Sequence, residues 1–451
     1  MKKEYIDFLY RLGMFNIKLG LNNMRQIMSR LGNPHNHPRI IHFTGTNGKG
    51  STLVTIEKLL LTSGFTVGST ISPHLIKYNE RFRINGHSIS DEDLGQAFLS
   101  VCKACEIDVN QLENYSGEKN INPTFFEFSL AMAFVIFKLR QVDYVLLETG
   151  LGGRLDASNV VEHPIACVFT KIAIDHQEFL GDTLEGIAEE KLGILKPDAI
   201  AYIAEQEPHI KDQLKQRCRE KGNRYLAASD NFKCQNNGDE IRFCLKPSTD
   251  PSSVQIPFPT DMSFNELGLT GSHQLENIAT ALSVYFSTVS GDSQLAKEAI
   301  AECIRDLEWP GRLQYLDKQR KILLDGAHNA SGMDTLVDYL KEHHADDKML
   351  FVISWMEGKE IFPALDYSFF SNHHFLPLKI EMTETEHIEM ITNKLKSKNY
   401  LALRPCMTSE FVESRLEEYV DNYDLIVIAG SLYLIGEFLS LYHKKYPSSS
   451  L

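Results

Sequence analysis

The sequence predicts an α/β protein in two parts. The first is an N-terminal P-loop domain with a mostly parallel sheet and a small β excursion; the second is a C-terminal Rossmann-like α/β domain. Short β-rich runs alternate with helical stretches through the first three hundred residues, the pattern of βαβ units whose sheet is covered on both faces. A glycine-rich turn holding a lysine, "TGTNGKGST", lies between a β-branched run and an amphipathic one. After "DLEWPG" at 306–311, where Pro and Gly break the preceding helix, the alternation begins again.

The first strand is "RIIHF", β-branched and apolar. The helix after it covers 50–63, with apolar residues three and four apart and Gly64 as its C-cap. "FTVGSTI" is a strand followed by a polar segment. A long amphipathic stretch at 125–140 forms a helix, "VDYVLLE" a strand ending on Glu148, "IACVFTKI" another strand, and 183–195 a further helix. Residues 228–263 are polar and turn-rich and read as a small hairpin excursion, before "SHQLENIATALSVYFSTV" returns to helix. In the second part "KILLDG", "MLFVIS", "YLALRP" and "DLIVIAGS" are strands. The domains expected are 1–307 and 308–451, the second of an ordinary size for one domain.

Composition narrows the function classes. The chain has 451 residues, 43% hydrophobic and 24% charged, as in soluble globular proteins. A net charge of -14 with no basic block argues against nucleic acid or an anionic membrane as the main partner. "LIVIAGSLYLIG" is too short to span a bilayer. "MKKEYIDFLYRLG" carries charges where a signal peptide needs an apolar run, so none is expected. Of the eight cysteines, Cys102 and Cys105 form C-x-x-C without a second pair at zinc-ribbon spacing. They lie on a helical pattern and read as two half-buried thiols one turn apart. Reduced thiols in a cytoplasmic protein are expected.

The chemistry begins at residues 39–64. The pattern G-x-x-x-x-G-K-[ST] needs a glycine where Phe43 stands and a hydroxyl where Gly50 stands. On its own the segment is either a nucleotide site with altered chemistry or a Gly-rich turn with a lysine. The strand before it and the helix after it are what a phosphate loop requires. Gly45, Gly48 and Gly50 let backbone N–H groups turn toward an anion at a helix N-terminus, with Lys49 reaching the outer phosphates. In a doubly wound sheet, the strand ends at Ser72, at Glu148 and near Asp175 and His176 open into the crevice beside that loop. A hydroxyl, a carboxylate and an imidazole suit magnesium.

"TGTNGKGST", "SPHLIKYNERFRING", "PTFFEF", "LLETGLGGRLDASNVV", "IAIDHQEFLGDTLEGIAEEKLGILK", "HQLENIATAL", "WPGR", "LLDGAHN" and "AGSLYLIGE" together resemble, in order, the folylpolyglutamate synthase/dihydrofolate synthase family of the Mur-ligase superfamily. The resemblance spans nearly the whole chain and is weak in the hairpin region and at 356–420. It implies a P-loop ATPase domain in which Thr46, Asn47, Gly48, Lys49, Gly50 and Ser51 cradle the ATP phosphates, with Asn277, Arg312, Asp325 and His328 also at the nucleotide. It implies two Mg²⁺ ions, one held by Ser72 and Glu148 and one by His176, with Lys191 carbamylated, and a monovalent cation. An ammonium at Lys191 would repel the metals, whereas a carbamate supplies oxygen ligands. Thr124, Phe125, Phe126 and Glu127, with Leu155, Asp156 and Ala157, match the segments around the pterin. Lys49, Lys191, His176 and Arg312 are the implied catalytic residues. Phosphoryl transfer from ATP to a carboxylate makes an acyl phosphate, which the amine of L-glutamate then displaces. The substrates implied are ATP, L-glutamate and dihydropteroate or folates, and a monomer is expected. ATP would bridge the two domains, with closure hinged near Trp309–Gly311.

Lys359-Glu360 departs from the family's Lys-Asp after "FVISWM". Three other readings compete. A cell-wall precursor ligase of the same superfamily is opposed by "PTFFEF" and by Gly50 in place of Ser or Thr. A P-loop kinase or GTPase has no use for the Arg312 and Asp325 motifs. A degenerate ATP-binding scaffold does not fit intact Lys49, Glu148, His176 and Lys191.

Overall fold

The computed structural model describes residues 2–13, 18–36, 39–117, 121–238, 240–246, 250–254, 260–289, 294–316, 319, 321–355, 367–381 and 385–447. Lys359 and Glu360 lie outside the described residues.

The first sheet has eight strands: β1 (Ile40–Thr44), β2 (Val67–Thr70), β3 (Phe82–Ile84), β4 (His87–Ser88), β5 (Tyr144–Glu148), β6 (Ala166–Phe169), β7 (Ile200–Ile203) and β8 (Tyr225–Ala227). Their order is β4-β3-β2-β5-β1-β6-β7-β8. The six from β2 to β8 run parallel, and β3 and β4 form an antiparallel edge. β1 and β5 are buried at every residue because helices cover both faces. The order reverses about β1, so the loops leaving β1, β5 and β6 open at one crevice, the ordinary ligand position of such sheets.

The excursion is larger than a hairpin. β9 (Phe232–Asn236), β10 (Ile241–Leu245) and β11 (Thr260–Phe264) form a three-stranded antiparallel sheet. Its alternating apolar residues, Phe243, Leu245, Met262 and Phe264 among them, join the core cluster of the helix His273–Thr288.

The last sheet consists of β12 (Gln314–Tyr315), β13 (Ile322–Asp325), β14 (Met349–Ile353), β15 (His374–Lys379), β16 (Leu401–Ala402), β17 (Cys406–Met407) and β18 (Leu425–Ala429). The path is β12-β13-β18-β14-β15-β16, with β17 beside β15 and only β12 antiparallel. The fold is thus α/β in two units, as the alternation predicts.

The helix Phe125–Arg140 lies inside the first unit. Thr124 and Glu127 make a reciprocal capping box, and Gln141 ends the helix in the left-handed region at φ 49°. Cys102, within the helix Asp91–Ala104, and Cys105, at its C-cap, are buried free thiols, and burial pushes the Cys105 thiol up to about 12. Among the described residues, no helix is long and apolar enough to cross a membrane.

Candidate active site

The loop after β1 is held from both sides. The N–H groups of Thr46 and Asn47 donate to the carbonyl of Lys171, in the loop after β6, at 2.8 and 3.1 Å. The Thr46 hydroxyl donates to Ala173 O at 2.9 Å. These bonds fix the loop's path and leave the helix's own first turn, Gly48 to Ser51, as the anion-facing end. Gly45 and Gly48 take φ of 153° and 86°, values that favour glycine. An added Cβ on Gly48 would lie 2.3 Å from Asn277 Oδ1. Asn277, on the helix His273–Thr288 and more than two hundred residues away, is therefore packed directly against the loop.

The amine of Lys49 donates to Gly45 O at 3.1 Å and lies 3.9 Å from Glu148 Oε1. Glu148 is buried, and its other oxygen accepts from the N–H of Ser72 at 2.7 Å. Burial raises the Glu148 pKa, opposed first by Lys49 and then by the Ser72 N–H. Ser72 lies two residues beyond the last residue of β2 rather than at the strand end. Lys191 is also buried, on the helix Leu184–Leu192, and donates to Gly45 O at 3.0 Å. Burial, then the charge of Lys49, lowers its pKa to about 7.

A second group forms across the two units. Asp175 and His176 stand several residues beyond β6, with His176 in the left-handed region at φ 52°. His176 Nε2 and His328 Nε2 each lie 3.9 Å from Asp175 Oδ2. The amides of Asn47 and Asn329 are paired, Asn329 Nδ2 donating at 3.1 Å to Asn47 Oδ1 and at 3.2 Å to Asp175 Oδ2. Asn329 also caps the helix Ala330–His343 by accepting from Gly332 N. Asp325 spends both oxygens on backbone N–H groups, those of Leu313 and Ala327, each at 2.8 Å. Burial raises its pKa, and Arg312 nearby opposes the shift. Arg312 also acts on Glu148 and so reaches the first unit electrostatically.

The aromatic segment divides by role. Glu127 accepts from Thr124 N at 2.8 Å, so both residues serve the helix cap. Phe125 is buried, stacked 5.9 Å from Tyr10. Phe126 is half-buried and shares a crevice with Ser72, Arg81 and Glu148. Asp156 is buried with Oδ1 accepting from Ser158 N and Oγ at 2.9 and 2.5 Å, and Oδ2 from Leu151 N at 2.8 Å. Leu155 is half-buried and Ala157 buried beside it.

Residue-level reading of the sequence misses Asn329, Arg81 and His74. Arg81 Nε donates to His74 Nδ1 at 2.8 Å, which fixes the imidazole with its proton on Nε2, toward Tyr10 OH at 3.2 Å. Burial, then Arg81, lowers the His74 pKa to about 3 and keeps the ring neutral. Arg83, the second Arg of "NERFR", pairs with Glu57, whereas Arg81 lines the crevice; nothing local in the sequence marks which of the two does so.

A buried carboxylate and a hydroxyl supply oxygen donors of the kind that fit magnesium beside ATP phosphates. Among the described residues, no three His, Cys, Asp or Glu side chains cluster closely enough to hold an ion alone.

Residues 43–285 match the Mur ligase middle domain and residues 312–441 the dihydrofolate synthetase C-terminal domain. A dihydrofolate synthase/folylpolyglutamate synthase of Bacillus subtilis is 32% identical over 94% of this chain and 95% of its own length. The solved folylpolyglutamate synthase of Thermotoga maritima is 28% identical with a TM-score of 0.75, covering 98% of this chain and 97% of its own. A bifunctional folylpolyglutamate synthase/dihydrofolate synthase, solved with Mn, AMPPNP and L-glutamate bound, is 26% identical with a TM-score of 0.77, covering 97% and 98%. The chain belongs to the dihydrofolate synthase/folylpolyglutamate synthase family, ATP-dependent ligases built on the Mur ligase middle domain.

Proposed function

We propose that this chain joins L-glutamate both to dihydropteroate and to the glutamate tail of reduced folates, releasing ADP and phosphate. The observation that carries the reading is the meeting of Lys49, Glu148, Ser72 and Lys191 around one loop carbonyl and one carboxylate, with Asn329 and Arg312 arriving from the second unit.

The residues divide the chemistry. A carboxylate is a poor acceptor for an amine, because its leaving group would be oxide. Phosphoryl transfer from ATP converts that oxygen into phosphate, and the amine of glutamate then displaces it. The first turn of the helix Lys49–Thr62 would receive the phosphates. Lys49, released from Gly45 O, and Arg312 would balance the charge that grows on the transferring group. Asn277, Asp325 and His328 would hold the nucleotide. Phe126, Leu155, Asp156 and Ala157 would face the pterin, while Thr124, Phe125 and Glu127 support that wall. Ser72, Glu148, His176 and a carbamylated Lys191 would hold two magnesium ions, which supply further charge neutralisation when bound. The reading assigns the protein to the cytoplasm as a monomer, with a domain boundary at 307/308.

Phosphate release with ATP, glutamate and either dihydropteroate or tetrahydrofolate tests it. Release with both acceptors is expected. Release with one would end the bifunctional reading, and release with neither would end the folate assignment.

A further inference from the structure

Gly50 occupies the second position of the helix Lys49–Thr62, where glycine is a poor helix former. Its backbone does not explain it: the left-handed φ values of this loop belong to Gly45 and Gly48. Space does. An added Cβ on Gly50 would lie 2.8 Å from the indole Nε1 of Trp309, 2.9 Å from Cζ2 and 3.0 Å from Cε2. A rigid ring fills the position that a hydroxyl-bearing side chain takes in the usual phosphate loop.

The ring is itself held. The Arg83 guanidinium lies 5.7 Å from its centroid. Arg83 Nη2 donates to Glu57 Oε2 at 2.8 Å and to Gly86 O at 2.7 Å. Glu57 is buried on the same helix as Gly50 and accepts from Ser69 Oγ of β2 at 2.5 Å. Trp309 is therefore fixed between the first turn of the P-loop helix and a cation which that helix anchors. From Trp309 the chain runs three residues to Arg312. Gly311 O accepts from Gly326 N at 2.7 Å, which ties this stretch to the end of β13. An added Cβ on Gly326 would meet Arg312 Nη1 at 2.8 Å.

We infer that Trp309 is a positioning residue, which clamps the linker between the two units onto the P-loop helix through the space left by Gly50 and so sets Arg312 over the same loop. The inference rests on the reading of residues 45–51 as the ATP phosphate loop. It gives the missing hydroxyl of that loop a cause: the place is taken by the linker.

A double-mutant cycle on the full chain tests it, using Gly50→Ala, Trp309→Leu and both together, with thermal unfolding to confirm that each variant is folded. Gly50→Ala pushes the ring off the helix and should raise KM for ATP about tenfold or more, since small misplacements at such sites are costly. Trp309→Leu loosens the linker but leaves the loop intact, so it should lower kcat with little change in that KM. The double variant has room for the new methyl group and should return KM for ATP to within about threefold of Trp309→Leu. A double variant no better than Gly50→Ala, or a Gly50→Ala without effect, overturns the inference. If Gly50→Ala does not fold, fluorescence decides. The chain has 2 tryptophans, so Trp355→Phe leaves Trp309 as the sole emitter. Its emission should shift in Arg83→Met, which removes the cation held over the ring, and an emission that Arg83→Met leaves unchanged overturns the clamp. Lys49→Ala separates the two readings: unaltered ATP turnover in that variant would sink the phosphate-loop assignment itself.

Discussion

Lys49 and Lys191 donate to one and the same oxygen, the carbonyl of Gly45, at 3.1 and 3.0 Å. Burial disfavours the charged form of Lys191, and repulsion by the neighbouring Lys49 ammonium adds to it, so its pKa falls to about 7. At neutral pH a large share of Lys191 is then the free amine, the form that combines with carbon dioxide. Incubation with carbon-13 bicarbonate at mildly alkaline pH should give a carbamate resonance in the wild type. Lys191→Arg, which cannot lose its proton in this range, should lack it. Equal signals in both proteins would place the carbamate elsewhere or nowhere.

Ser72 and Ser51 offer the two hydroxyls nearest the proposed metal position by sequence. Ser72 follows β2 and its N–H already binds Glu148, whereas Ser51 is buried within the first turn of its helix. Ser72→Ala should weaken Mn²⁺ binding in the presence of AMPPNP about tenfold or more, as loss of a metal-supporting group does. Ser51→Ala should have a much smaller effect. Titration by electron paramagnetic resonance reads both directly, and equal losses would mean that Ser72 has not replaced the usual hydroxyl.

Arg312 joins the second unit to Glu148 electrostatically and is the cation proposed to meet charge building on ATP. Removing one such donor raises a barrier by ~3 kcal/mol. Arg312→Ala should therefore lower kcat/KM about a hundredfold, with thermal stability little changed because the side chain is only half-buried. A loss below about fivefold would remove it from the transition state.

His42 sits at the centre of β1 with no exposure, its Nε2 2.8 Å from Ser158 Oγ. The Ser158 hydroxyl donates on to Asp156, so the ring's Nε2 carries the proton, and Nδ1 has no hydrogen-bond partner among the described residues. Burial, then Lys196, lowers the His42 pKa from 6.5 to about 3. The unfolded chain thus binds a proton that the folded chain refuses, and stability from this group falls as pH drops through the window from 6.5 toward about 3. The loss reaches several kcal/mol in order of magnitude. His42→Gln should flatten that part of the stability profile, as read by urea unfolding at a series of pH values. A parallel profile for the variant would show that His42 does not set the acid limb.

The sheet is legible in the sequence where strands are buried on both faces, because β18 is then an unbroken apolar run and β1 and β5 are largely apolar, interrupted only by His42, Thr44 and the terminal Glu148. β15 is not, since "HFLPLK" carries Pro377 inside a strand that pairs on both sides. β11 is lost for a different reason: "TDMSF" alternates over only five residues, too few to outweigh its polar surroundings. The site follows the same division. Lys49, Ser72 and Glu148 lie on or near strand ends, so topology alone brings them together. Asn329 and Trp309 act through contacts with Asn47 and Gly50, residues of the other unit, and no local pattern encodes such a meeting. Thr124 and Glu127 show the converse, since a motif that resembles a substrate wall also obeys the capping-box rule, and the structure uses it as one.

The two units also meet at Gly436, on the helix Leu432–Lys445. An added Cβ there would lie 1.8 Å from the carbonyl oxygen of Leu75, in the loop that follows Ser72. That loop cannot easily retreat, because Glu80 accepts from the N–H groups of Leu75 and Lys77 at 2.7 Å each. Gly436→Ala must therefore displace the whole helix rather than one side chain. The expected result is a larger radius of gyration by small-angle scattering and a Tm lower by about 2 °C or more. Glu80→Gln in the same background frees the loop to yield and should recover part of both changes. If Gly436→Ala matches the wild type in both measurements, the contact is too soft to hold the two units together. The seat of Arg312 over the P-loop would then depend on the linker alone.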